Sequence, residues 1–221
     1  MEKESTTSNG YEIKRPTEKL DSDGYRSVLE KFGISGESPA LRVEQLKGLS
    51  EGRLAALLTF INKGLQGSKD KLIHTSGAMK IGETSTIAPE HRYDVFVKLM
   101  NDIKQVPESV NPERVGDALA MGIVLLHPFE DGNGRTARMI GATFRDSLDS
   151  SDYESDFAAL TEPRDEARAR GGSMALGYTP RFPDGFDQSD PSQVSEYLHN
   201  LLTDEAEGSY IGPFGQARLI K

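Results

Sequence analysis

Cysteine is absent from the 221 residues, which removes disulfides, thiolate metal sites and a cysteine nucleophile from consideration. That absence suits a cytoplasmic protein. Apolar runs approaching the roughly 20 residues of a membrane helix are missing as well, so no membrane partner is expected. The opening stretch, MEKESTTSNGYEIKRPTEKLDSDG, is polar and has no apolar core of the kind a secretory signal needs. A cytoplasmic location is therefore expected, with delivery as a secreted effector left open. No GxxxxGK[ST] phosphate loop occurs; Gly64-Leu65-Gln66-Gly67-Ser68-Lys69 matches it only superficially. The chain has no internal repeat. Its formal net charge is −9, which repels phosphate backbones and argues against broad nucleic-acid binding. A local positive pocket on an acidic protein can still take a nucleotide.

What is present is mostly helical patterning. Residues 1–22 are polar and read as a flexible tail. Between 23 and 64, apolar residues recur at three- and four-residue steps, punctuated by Pro39 and Gly48. Residues 72–89 mix β-branched residues with Gly and Thr and read as a short hairpin or flap. Pro89 opens a helix with Val95, Phe96, Leu99, Met100 and Ile103 on one face. Asn111 is a natural N-cap for the next helix, with Pro112 at its first position. That helix is buried along Val115, Ala118, Leu119, Gly122, Leu125 and Leu126, and Pro128 stops it near Leu126 or His127. Another helix starts between Asn133 and Arg135. The 150–190 stretch reads as a long surface loop, and Pro191 starts a last helix through Leu202. The expected fold class is mainly α with one small β-hairpin: a domain over 23–202 and a C-terminal tail over 203–221.

The chemistry concentrates between the two central helices, in His127-Pro128-Phe129-Glu130-Asp131-Gly132-Asn133-Gly134-Arg135-Thr136-Ala137-Arg138. Gly132 and Gly134 permit positive φ and close approach to a ligand. Successive N–H groups in such a turn make an anion nest, and the positive end of the following helix points at the same place. Arg135 and Arg138 lie three apart on its first turn and suit phosphate oxygens. Asp131 sits where a magnesium ligand is useful. His127 is the group in the loop able to take a proton near neutral pH. Singly, each has a structural reading: a His before Pro as a helix cap, Gly-Asn-Gly as a turn, the arginines as a solvated face, Phe129 as core. The functional reading rests on their falling within one short segment.

That segment resembles the Fic signature HPFx[D/E]GNGRxxR at every specified position. The resemblance implies a helical domain with a β-hairpin flap beside the loop. It also implies a protein adenylyltransferase, which moves AMP from ATP to a Ser, Thr or Tyr hydroxyl and releases pyrophosphate. On that resemblance His127 is the base and Asp131 holds Mg²⁺. Gly132, Asn133 and Gly134 cradle the phosphates, together with Thr136. Arg135 takes the β-phosphate region and Arg138 the γ-phosphate. Relatives with Lys in place of the second loop Gly resemble the Doc toxin kinases; Gly134 favours nucleotidyl transfer. In the flap, Thr84, Ser85, Thr86 and Ile87 are candidates for contacting nucleotide or target. Other donors (UMP, phosphocholine), AMP removal, and an inert adaptor or antitoxin partner remain as alternatives.

Many Fic proteins are silenced by a helix with the pattern [S/T]xxxE[G/N], whose Glu pairs with the second loop arginine. Thr203-Asp204-Glu205-Ala206-Glu207-Gly208 fits it, making Thr203 and Glu207 candidate regulatory residues. Gly208 as a simple helix cap is the competing reading. Tyr197 and Tyr210 flank the motif and are candidates for self-modification, although a packed Tyr197 is the simpler reading. His74, His91 and His199 have no constellation around them in sequence. The expected partner is a hydroxyl-bearing protein, and oligomer formation is left open.

Overall fold

The computed structural model describes residues 20–66, 80–81, 84–145, 160–161 and 182–203. Among these, the helices are α1 (Ser22–Lys31), α2 (Pro39–Lys47), α3 (Glu51–Gln66), α4 (Pro89–Gln105), α5 (Pro112–Leu126), α6 (Asn133–Thr143) and α7 (Pro191–Thr203). Two short strands, β1 (Lys80–Ile81) and β2 (Thr84–Ser85), pair antiparallel, with Lys80 opposite Ser85 and Ile81 opposite Thr84.

Side-chain caps set most helix starts. Asp21, Ser38, Ser50, Asn111 and Asp190 each accept an amide from the first turn of the helix that follows, at 2.7 to 3.3 Å. The folded part begins slightly earlier than the 1–22 tail expected from composition. The Leu20 amide donates to the Gly64 carbonyl at 2.8 Å, and Asp21 is the cap of α1.

Helix α5 is the centre of the molecule, packed by α6, α7, α4 and α2. It is buried almost all round, as a helix apolar on every face must be. Its approach to α6 is close: a Cβ at Gly116 would stand 2.7 Å from the Gly141 carbonyl oxygen. The Asp117 carboxylate pairs with Arg145 just past α6. Tyr25 ties α1 to α6, its hydroxyl 2.5 Å from Thr143 Oγ1 and 3.1 Å from the Met139 carbonyl. These contacts fix the two helices that carry the motif loop between them.

Beyond Arg145 the surface-loop reading needs correcting where the structure describes the chain. Leu160 and Thr161 are helical and buried. Phe182 and Phe186 stack at 5.1 Å and both lie against Tyr197 of α7. The apolar residues scattered through a Gly- and Pro-rich stretch serve the core rather than the solvent. Tyr197 is packed as expected. Burial and the nearby Asp117 charge push its hydroxyl well above its ordinary pKa of 10. No described helix is long and apolar enough to cross a membrane.

Candidate active site

Helix α5 ends at His127 because a right-handed helical residue before Pro128 would clash with the proline ring. His127 turns instead into the left-handed region, at φ 46° and ψ 57°, while its amide still bonds the Ile123 carbonyl at 3.0 Å. Among the described residues it is the one non-glycine with positive φ. A side chain in that region costs about 1–2 kcal/mol, and such residues gather at functional sites. The ring is half-buried and its Nδ1 is enclosed without a well-formed hydrogen bond. Burial holds its pKa below the ordinary 6.5, and the charge of Arg92 acts in the same direction. The Val124 backbone and Asp131 oppose the shift. At neutral pH the ring is uncharged and able to accept a proton.

Asn133 shapes the loop that follows. Its Oδ1 accepts from the Phe129 amide at 3.1 Å and its Nδ2 donates to the Phe129 carbonyl at 2.7 Å. Both residues are buried. The Asn133 side chain is therefore spent on closing the loop, and only its backbone remains to meet a phosphate. Gly132 has φ 77° and precedes α6 with no side-chain cap, unlike the starts of α1, α2 and α5. Gly134 departs from expectation. It lies inside α6 and has no positive φ. A Cβ there would meet Arg138 Nη1 at 3.8 Å, an ordinary contact. Its smallness keeps the first turn of the helix uncovered rather than permitting a special turn.

The Asp131 carboxylate is 74% exposed, with one oxygen 2.6 Å from the Gly132 amide and the other 3.2 Å from an Arg135 Nη. Arg138 donates from Nε to the Leu160 carbonyl at 2.8 Å, so its stem is anchored on the segment beyond α6. Thr136 is fully buried, and its hydroxyl accepts from Asn62 Nδ2 at 3.1 Å. Its side chain faces the fold, not the open side of the loop. Thr86 and Ile87 are likewise buried. For Thr84 and Ser85 the structure gives the backbone pairing alone. Thr203 closes α7 with its hydroxyl on the His199 carbonyl at 3.0 Å. Glu207, Gly208, Tyr210 and His74 lie outside the described residues. His91 is exposed, and His199 has a partner the sequence did not suggest, Asp102 at 3.3 Å.

Residues 54–144 match the model of the Fic/DOC family. Over that stretch the chain is similar to the Fic/DOC family. No curated protein and no solved structure matches it. The Fic/DOC segment runs from α3 to the end of α6 and so contains the whole His127–Arg138 loop.

Two buried polar residues within this Fic/DOC segment escaped the sequence reading. Asn62 donates to the Asp131 carbonyl at 2.9 Å as well as to Thr136, and so ties α3 to both sides of the loop. Arg92 is 4% exposed; it donates from Nε to the Ile87 carbonyl at 3.1 Å and from Nη2 to Thr86 Oγ1 at 3.3 Å. Both could have been flagged by position. Asn62 shares a helical face with Leu58 and Leu65, and Arg92 with Val95 and Phe96. A polar residue in an apolar stripe calls for a partner.

Proposed function

We propose that this protein is a transferase that moves AMP from ATP onto a hydroxyl of a protein target and releases pyrophosphate. One observation carries the reading: a neutral, left-handed His127 stands at the end of a buried helix, across a loop closed by two hydrogen bonds from the uncapped start of α6. In this reading the target hydroxyl gives its proton to His127. With Nδ1 enclosed, Nε2 is the atom that receives it. The hydroxyl oxygen bonds to the α-phosphorus, and the bond from that phosphorus to the bridging oxygen breaks. The electron pair leaves with pyrophosphate. The backbone of Gly132, Asn133 and Gly134 faces the phosphates, and the positive end of α6 steadies the charge. Arg135 and Arg138 are assigned the β- and γ-phosphates. Thr136 acts from inside the fold, holding the first turn through Asn62.

The donor set suits magnesium. The loop offers the exposed carboxylate of Asp131 as a ligand. Magnesium tolerates this when substrate phosphates complete its shell. Bound there, it would neutralise charge between the α- and β-phosphates. The target segment is assigned to the backbone edge of Thr84 and Ser85, continued by Thr86 and Ile87, whose side chains anchor inward. Glu207 is proposed to restrain the site by pairing with Arg138, with Thr203 marking the start of that motif. A Glu207→Gly variant that labels no faster than wild type contradicts the restraint.

The test is to offer ATP labelled at the α- or the γ-phosphate to the protein with Mg²⁺ and a cell lysate. Protein labelled from the α-position alone is the expected result, on a lysate protein or on the enzyme itself. Labelling from the γ-position alone indicates a kinase and overturns the reading. No label from either, even with Glu207→Gly, points to another donor or to an inert module.

A further inference from the structure

Arg92 is a cation enclosed in the fold. Its volume could be filled by methionine or leucine without the cost of burying a charge, which desolvation makes unfavourable. Two of its donors are used on one short stretch of chain, the Ile87 carbonyl and the Thr86 hydroxyl, immediately after β2. Its third nitrogen, Nη1, is buried with no partner. Burial lowers the guanidinium's pKa, and Glu90 on the same turn opposes that. On the other side, Arg92 shares the wall of a largely apolar cavity of about 240 Å³ with Leu126 and Pro128, the two neighbours of His127.

We propose that Arg92 is a positioning residue for this site: one buried guanidinium fixes the Thr86–Ile87 segment behind the hairpin and stands beside His127, holding the target-binding edge and the base in a single frame. The proposal rests on the transferase reading for its functional meaning. Lysine could supply the charge but not the planar fork that spans two acceptors. Methionine could supply the stem and neither of the other two. Among the described residues, the charged groups acting on His127 are Arg92 from α4 and Asp131 from its own loop, with Arg135 of α6 paired to Asp131. Glu51 of α3 lies on the rim of the same cavity and is paired to Lys104. Replacing Arg92 thus removes the positive charge that lowers the His127 pKa.

The experiment compares full-length wild type, Arg92→Lys and Arg92→Met without relying on activity. The ring titration of His127 is followed by NMR, assigned with His127→Gln, and amide exchange is followed over 80–88. In Arg92→Met the His127 pKa rises, and exchange after β2 accelerates. In Arg92→Lys the titration returns toward wild type while exchange stays fast, a split that general loosening does not produce. Wild-type titration and exchange in both variants overturn the proposal, as does equal displacement of both readouts in both variants. If Arg92→Met does not fold, Arg92→Lys alone decides. Variants that show the split beside a wild type that labels nothing from ATP would leave Arg92 in its place and overturn the transferase reading alone.

Discussion

Replacing Asn133 with alanine removes both hydrogen bonds that close the motif loop. The Phe129 amide and carbonyl lose partners at 3.1 and 2.7 Å, in a residue that is 1% exposed. A buried backbone group left without a partner costs about 1–3 kcal/mol. Two of them, partly relieved by water entering the vacated space, give about 2–4 kcal/mol of lost stability. Asn133→Asp separates the two bonds. A carboxylate still accepts from the Phe129 amide but faces the Phe129 carbonyl with no proton to give. The positive end of α6 offsets roughly 0.3–1 kcal/mol of that, less than the cost of a buried charge facing a carbonyl, so a loss at least as large as that of alanine is expected. Urea unfolding with a check that the slope is unchanged measures both. An alanine variant within about 0.5 kcal/mol of wild type refutes the clamp. Loss of labelling with unchanged stability would instead put the Asn133 side chain on the donor.

Labelling rate should depend on pH through the His127 ring. Its folded pKa is below 6.5, so more than half of the base is neutral at pH 6.5 and the acid limb of the rate profile is centred below that value. The linkage has the same sign: burying the neutral ring contributes stability that is complete above the unfolded pKa and is lost as pH falls through the lowered folded one. An acid limb centred above 6.5 contradicts both statements. Gly116→Ala sets a methyl 2.7 Å from the Gly141 carbonyl oxygen and forces α5 and α6 apart, so a loss of about 1–3 kcal/mol is expected in the same unfolding assay. Gly132→Ala must hold a side chain at φ 77° and should cost about 1–2 kcal/mol, read by thermal unfolding.

The helices were legible because their signals are local. Asn111, Pro112 and Pro128 bound α5, and Pro89 and Pro191 open α4 and α7, each where its N–H is dispensable. The motif loop was legible because its residues are contiguous. What was not legible is what comes from other helices. The carbonyl that meets Arg138 belongs to Leu160, the donor on the Asp131 carbonyl to Asn62, and the cation beside His127 to Arg92. Sequence spacing assigns no such pairs, although a polar residue within an apolar stripe marks where to look. Spacing also misplaced the role of Gly134. Two glycines flanking an asparagine suggest a turn, yet once Gly132 has turned the chain the helix has already begun.

The central claim is that His127 is the base for nucleotidyl transfer rather than a helix-end residue. The most direct measurement is incorporation of α-labelled ATP into protein by wild type and by His127→Ala, with ATP binding and unfolding measured on the same two samples. The account predicts that the variant folds, since His127 caps α5 through its backbone, binds ATP as wild type does, and loses labelling by at least about 100-fold, the usual worth of a general base. Labelling by His127→Ala within a few-fold of wild type would contradict it.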